Sequence, residues 1–321
     1  MSYLNITGAT TLADIIQSIA TMVTAAGWNV ELNQLTPTAT PGRRITFRKV
    51  GVSDYIHIWN DDETQVNMAI SIGFNPLQPP SGSPNYSGVT VTNVNGPFPN
   101  VYLFGDSDAF HVVFQLNASL EFRHMCFGML EKIGEYPGGT YAEGSWRDPT
   151  NWRGDLAPYH HVPFQSHSVG RRGIQPFPGF VRCDVPADGI LNAIPTIAPS
   201  DTNVEPLYVL GGVGAWSQDT SSAWLGKISG GTDTNAFDGR SVFHPINLYV
   251  RRPGDYFSAI GCVPNTRQCN MLKFTPGQEV PQGPNTWVVF PAFKRSLQTD
   301  GGSNAPDLGS HTVGYAIKKV V

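Results

Sequence analysis

Apolar residues fall at helical spacing near the amino terminus and at strand spacing almost everywhere after it. Leu12, Ile15, Ile16, Ile19, Met22, Val23 and Ala26 make one face of an amphipathic helix. Thr11 followed by Asp14 resembles a capping box, and Gly27 suits the position just past the helix end. From Trp28 onward the period shortens to two, which predicts strands over 28–32, 43–50, 54–60 and 65–74. Further strands are expected at 89–92, 101–104 and 110–116. The run 121–133 alternates Phe122, His124, Cys126 and Gly128 with Arg123, Met125, Phe127 and Met129. Its central glycine disfavours a helix, so a long strand is expected, with a hairpin partner at 140–145 beyond Pro137-Gly138-Gly139. The last stretch repeats short apolar runs at 206–210, 246–250, 256–260, 286–290 and 313–317. Pro253-Gly254, Pro276-Gly277 and Gly283-Pro284 separate the later runs.

This pattern predicts an α+β protein, mostly antiparallel β, with an amino-terminal helix on a small sheet followed by sandwich- or barrel-like modules. Four regions are expected: a helix-plus-sheet domain (1–76), a β-rich continuation of the core (77–145), a proline-rich extended arm (146–204) and a carboxy-terminal β-sandwich or barrel module (205–321). Residues 146–200 are dense in proline (Pro149, Pro158, Pro163, Pro176, Pro178, Pro186, Pro195, Pro199). An uncovered loop of that length is uncommon inside a domain, so an arm lying over a neighbour is expected.

Composition sharpens the picture at one point. Charged residues make up 14% of the 321 residues, against roughly 25% in typical domains. Charge is depleted at the centres of protein interfaces, so a surface largely covered by neighbours is expected. Low charge also suits secreted or carbohydrate-facing β-proteins. A net charge of −4 argues against a general polyanion binder, so no nucleic-acid partner is expected. No apolar run approaches the roughly 20 residues that span a bilayer. The start, Met1-Ser2-Tyr3-Leu4-Asn5, has neither the basic nor the apolar segment of an export signal, so synthesis and assembly in a cytoplasm are expected. The sequons at Asn5, Asn85 and Asn117 then carry no meaning. Cys126, Cys183, Cys262 and Cys269 form no CxxC, and buried thiols are expected rather than zinc ligands.

Three blocks carry a resemblance. They are the opening helix over 11–28, ending Ala26-Gly27-Trp28; the central run 122–132 with Gly138-Gly139-Thr140-Tyr141 and Gly144-Ser145; and an ending with Pro245-Ile246, Gly261, Pro276-Gly277-Gln278, 287–291 and Gly314-Tyr315-Ala316-Ile317-Lys318. The chain resembles tailed-bacteriophage virion structural proteins of tail or baseplate type. The resemblance implies assembly rather than catalysis and marks no functional residues.

Gly105-Asp106-Ser107 matches the nucleophile block of GDS-type esterases, with Asp307 and His311 as distal partners. That pair has one residue too many between them, and a tight turn explains the block better. Asp155, His160, His161 and His167 are metal-capable but match no metal spacing. Glu121, Glu131, Glu135 and Glu143 accompany Tyr136, Tyr141, Trp146 and Trp152, as in sugar-binding grooves, but a hairpin with a solvated acidic edge explains them better. Arg171-Arg172 and Arg251-Arg252 suit contacts with neighbouring subunits. Gly211-Gly212-Val213-Gly214 precedes no helix, which excludes a dinucleotide loop.

The expectation is therefore a non-enzymatic structural subunit of a phage tail tip or baseplate, located in the virion and assembled in the host cytoplasm. No catalytic, cofactor-binding or metal residues are assigned, and no cofactor. Its expected partners are copies of itself in a trimeric or hexamer-related ring and other tail proteins. Alternatives are a tail protein that binds or cleaves host-surface carbohydrate, and a neck or head-attached component.

Overall fold

The structure, a computed structural model, describes residues 3–9, 11–36, 42–84, 86–92, 94–116, 121–147, 160–161, 163–164, 179–183, 192–195, 207–210, 242–252, 256–271, 274–292 and 313–319. The chain opens with β1 (Tyr3–Ala9) and α1 (Leu12–Ala25), then β2 (Asn29–Thr36), β3 (Gly42–Arg48), β4 (Tyr55–Trp59), β5 (Gln65–Ser71) and β6 (Ser87–Thr92). It continues through β7 (Phe98–Gly105), β8 (Ala109–Leu116), β9 (Glu121–Met129), β10 (Glu131–Lys132), β11 (Gly138–Gly144), β12 (Trp146–Arg147), β13 (His160–His161), β14 (Gly179–Cys183) and β15 (Asn192–Pro195). The last segment holds β16 (Leu207–Leu210), β17 (His244–Arg252), β18 (Tyr256–Asn270), β19 (Gln278–Gln282), β20 (Asn285–Pro291) and β21 (Val313–Lys319).

These strands build three main antiparallel sheets. The amino-terminal sheet runs β2-β3-β4-β5-β6, the central sheet β1-β7-β8-β9-β11-β14-β15, and the carboxy-terminal sheet β16-β17-β18-β21-β20-β19. β10 leaves the central segment and pairs with β18, placing Glu131 opposite Cys262. β12 and β13 form a separate two-stranded ladder. The expected α+β, mostly antiparallel β class is what the chain adopts.

Helix α1 forms where its pattern predicts. Thr11 Oγ1 accepts the Asp14 backbone N–H at 3.2 Å, and Gly27 takes φ +85° just past the helix. Leu12, Ile15, Ile16, Ile19, Met22 and Val23 are all buried. They share one interior with the inward residues of the amino-terminal sheet (Ile45, Phe47, Ile56, Ile58, Met68) and with Val101, Leu103, Val112, Phe114, Met125 and Phe127 of the central sheet. The helix touches β2 and β3 on one side and β1 and β7 on the other, while β5 and β6 meet β11 directly. Gly144 permits that direct meeting, because a Cβ there would press on Val91, Met68 and Val89.

The opposite face of the central sheet is buried too. Phe104, Val113, Phe122, Cys126 and Tyr141 alternate with the first set along their strands and pack on Leu248, Val263, Val288, Phe290 and Ile317 of the carboxy-terminal sheet. The central sheet therefore has two buried faces, and the polar members of 121–129, Arg123 and His124, are enclosed along with the apolar ones. Gly128, at φ +150°, lies where a side chain would strike the backbone of Asp108 and Ala109. A third cluster of Cys269, Met271, Trp287, Val289 and Ala316 covers the far side of the carboxy-terminal sheet.

Candidate functional site

The candidates found in the sequence are scattered by the fold. Ser107 sits on the turn between β7 and β8. Asp106 Oδ1 accepts the backbone N–H groups of Asp108 and Ala109 at 2.8 and 3.1 Å, an Asx arrangement that makes the turn. Ser107 Oγ donates to Asp108 Oδ2 at 2.9 Å, and Asp108 pairs with Lys49. No histidine is bonded to this serine among the described residues, and Asp307 and His311 lie outside them. Of the metal-capable group, Asp155 and His167 lie outside the described residues, while His160 and His161 belong to β13. Among the described residues no three His, Cys, Asp or Glu side chains converge as a metal set.

The described side chains of the carboxylate and aromatic set do not form one groove. Glu143 and Tyr141 are buried between the central and carboxy-terminal sheets. Glu131 and Glu135 are exposed, with Glu131 accepting from Cys262 Sγ at 3.3 Å. Glu121 pairs with Arg123. Tyr136 donates to the Ile260 carbonyl at 2.8 Å. Trp152, Arg171, Arg172 and the run 211–214 lie outside the described residues. Cys126, Cys183 and Cys269 are buried and Cys262 is half-buried.

What the sequence reading passed over is a buried polar centre joining the two halves of the molecule. His111 of β8 and His124 of β9 point to the carboxy-terminal side of the central sheet, with His111 Nε2 2.9 Å from His124 Nδ1. His124 Nε2 lies 2.8 Å from the Pro291 carbonyl, and His111 Nδ1 3.4 Å from Thr266 Oγ1. A carbonyl only accepts, so the chain has one direction. His124 Nε2–H donates to Pro291, His111 Nε2–H donates to His124, and Thr266 donates to His111. Both rings are then neutral. Burial pushes the His111 pKa well below its ordinary value, with His124 adding to the effect; burial, opposed by the Pro291 bond, takes His124 down to about 4. The Tyr315 ring packs on both histidines at 5.9 and 4.9 Å, and its hydroxyl donates to the Pro163 carbonyl. Phe164 N–H, next along, points to Glu143 Oε2 at 3.4 Å. The centre fastens β20, β21 and the Pro163-Phe164 turn to the central sheet. Both imidazole N–H groups donate and both Nδ1 lone pairs accept, so every ring nitrogen is engaged in holding the sheets together.

A second buried chain crosses the outer face of the amino-terminal sheet. Thr46 Oγ1 lies 3.0 Å from His57 Nδ1, and His57 Nε2 lies 2.7 Å from Ser71 Oγ, which donates to the Gly73 carbonyl at 2.7 Å. The Ser71 proton is spent on a carbonyl, so His57 keeps its proton on Nε2 and cannot act as base toward Ser71. Burial and the nearby Arg44 hold His57 down to about 3.

Sheet edges are the remaining feature. Among the described strands, β2, β6, β1, β15, β16 and β19 each have a single ladder partner. β2 is largely exposed, with Leu35 at 62%. Such edges present unpaired backbone donors and acceptors to another chain. No protein-family model matches the chain, and no curated protein matches it.

Proposed function

We propose that the protein is a structural subunit of a tailed-phage virion, of the tail tip or baseplate, acting through oligomeric protein–protein assembly and not through catalysis. The observation that carries the reading is the combination of open sheet edges with a chain only 14% charged. Strand addition across β2 or β19 would join copies through main-chain hydrogen bonds, with side chains on alternate positions setting specificity. Permanent contacts of this type commonly bury more than about 2,000 Å², and closed rotational symmetry is expected. The resemblance of the three sequence blocks to virion proteins supports the same reading. The partners would be copies of the chain in a trimeric or hexamer-related ring and neighbouring tail proteins. A neck or head-attached position uses the same contacts.

Quantitative mass spectrometry of gradient-purified particles tests the proposal. A fixed ratio to the major capsid protein, at a small multiple of three or six per particle, is the expected result. Protein left soluble in the lysate and missing from particles would overturn it. Carbohydrate binding at the host surface is the competing reading. Glu121, Glu131, Glu135 and Glu143 stand in separate environments, which favours the assembly reading over a carboxylate-lined groove.

A further inference from the structure

The outer face of the amino-terminal sheet holds a buried cation with no counter-ion among the described residues. Arg44 projects from β3 on the same face as Thr46 and is 6% exposed. Its Nη1 donates to the Gln78 carbonyl, and its guanidinium carbon stands 5.6 Å from the Phe74 ring centroid. The other two nitrogens, Nε and Nη2, are buried and have no hydrogen-bond partner. Among the described residues no carboxylate lies within ion-pair distance of Arg44. Burial lowers the guanidinium pKa from its ordinary value. Arginine nonetheless stays charged at any physiological pH. Leaving such buried donors unpaired is costly to the fold.

The two free nitrogens are not a random pair. Nε and Nη2 form the side edge of the guanidinium, the fork whose two parallel N–H groups match a pair of oxygens on carboxylate or phosphate. The opposite corner is the one held by the protein. Residues 72–84 cover the site as a loop that closes on itself: Ile72 N–H donates to the Pro84 carbonyl at 3.1 Å, and Ser83 N–H to the Pro80 carbonyl at 2.9 Å. The loop meets the sheet through Gln78 on Arg44, Gly73 on Ser71, and Phe74 packed on Tyr55 and His57 at 5.8 and 6.0 Å. Four prolines (Pro76, Pro79, Pro80, Pro84) stiffen it, and its tip carries Leu77 at 92% exposure. An oxyanion reaching the fork would require this loop to move away from the sheet.

We propose that Arg44 is the recognition group of an oxyanion site beneath the 72–84 loop, taking two oxygens of a carboxylate or phosphate on its Nε–Nη2 edge. The test is a titration of the full chain with inorganic phosphate and, separately, acetate, each at constant ionic strength set by chloride. Thermal unfolding and the Arg Nε–H resonances are followed together. A saturable rise in Tm is expected, with the Arg44 Nε–H signal moving at the same midpoint. R44M should abolish the response, and R44K, which keeps the charge but loses the fork, should weaken binding about ten- to hundredfold. The better of the two anions identifies the oxyanion class. An Arg44 signal that moves with protein concentration, in the absence of either probe, assigns the carboxylate to a second copy of the chain. An Arg44 signal unmoved by phosphate, acetate and protein concentration overturns the proposal, as does an R44M variant that keeps the wild-type response. Should R44M fail to fold, the wild-type Nε–H signal decides the question alone.

Discussion

Three buried histidines stay uncharged for the interior to close. In an unfolded chain His57, His111 and His124 would titrate near 6.5, whereas in the fold each is held lower, His57 at about 3 and His124 at about 4. Above pH 6.5 both states are neutral and the full stability is present. As the pH falls below that value the unfolded chain takes up protons first, so stability drops by about 1.4 kcal/mol per pH unit for each histidine until its folded pKa is reached. Urea midpoints measured between pH 7.5 and 4.5 should therefore fall steadily below about pH 6.5. A flat profile would show that the rings are not buried as described. The cysteines offer a second check. Cys262 is the one half-buried thiol, and burial with the neighbouring Glu131 pushes it up to about 11, while the other three are enclosed. In native protein a thiol reagent at neutral pH should reach Cys262 slowly and leave Cys126, Cys183 and Cys269 untouched until denaturant is added.

At the level of elements, α1 is the sharpest case of sequence dictating structure. Ile16 is fully buried between two sheets, so Ile16→Ala should cost about 2–5 kcal/mol, whereas Thr11→Ala at the cap should cost about 1 kcal/mol. Chemical denaturation of the two variants separates packing from capping. The helix was legible because its period and caps agree, and β9 was legible because Gly128 argues against helix. β14 was not singled out: Gly179–Cys183 sits among prolines and has no polar alternation, since Val181 and Cys183 face one interior and Arg182 the other. β1 and β19 were missed for a related reason. They are edge strands rich in polar residues, so no period-two signal marks them. The histidine centre could not be read from spacing, because His111, His124, Thr266 and Pro291 meet only through the stacking of two sheets.

Across the whole molecule, the sheets are held by buried polar ties as well as by apolar packing. Arg182 Nε of β14 meets Asp54 Oδ1, just before β4, at 3.1 Å, with both side chains enclosed. Asp54→Ala removes that carboxylate from a buried guanidinium and should cost about 3–5 kcal/mol, visible as a lowered Tm. A loss under 1 kcal/mol would mean that the pair is solvated.

The doubly covered central sheet also bears on how the chain is made. Its strands through β11 are complete by residue 144, but the layer that covers their second face comes from residues 244–319. During synthesis Val113, Phe122, Cys126 and Tyr141 leave the ribosome well before Leu248, Val288 and Ile317 exist to meet them. β10 waits as well, since its partner strand starts at Tyr256. A nascent chain stopped near residue 145 would present a naked apolar sheet, the kind of surface that recruits chaperones or aggregates.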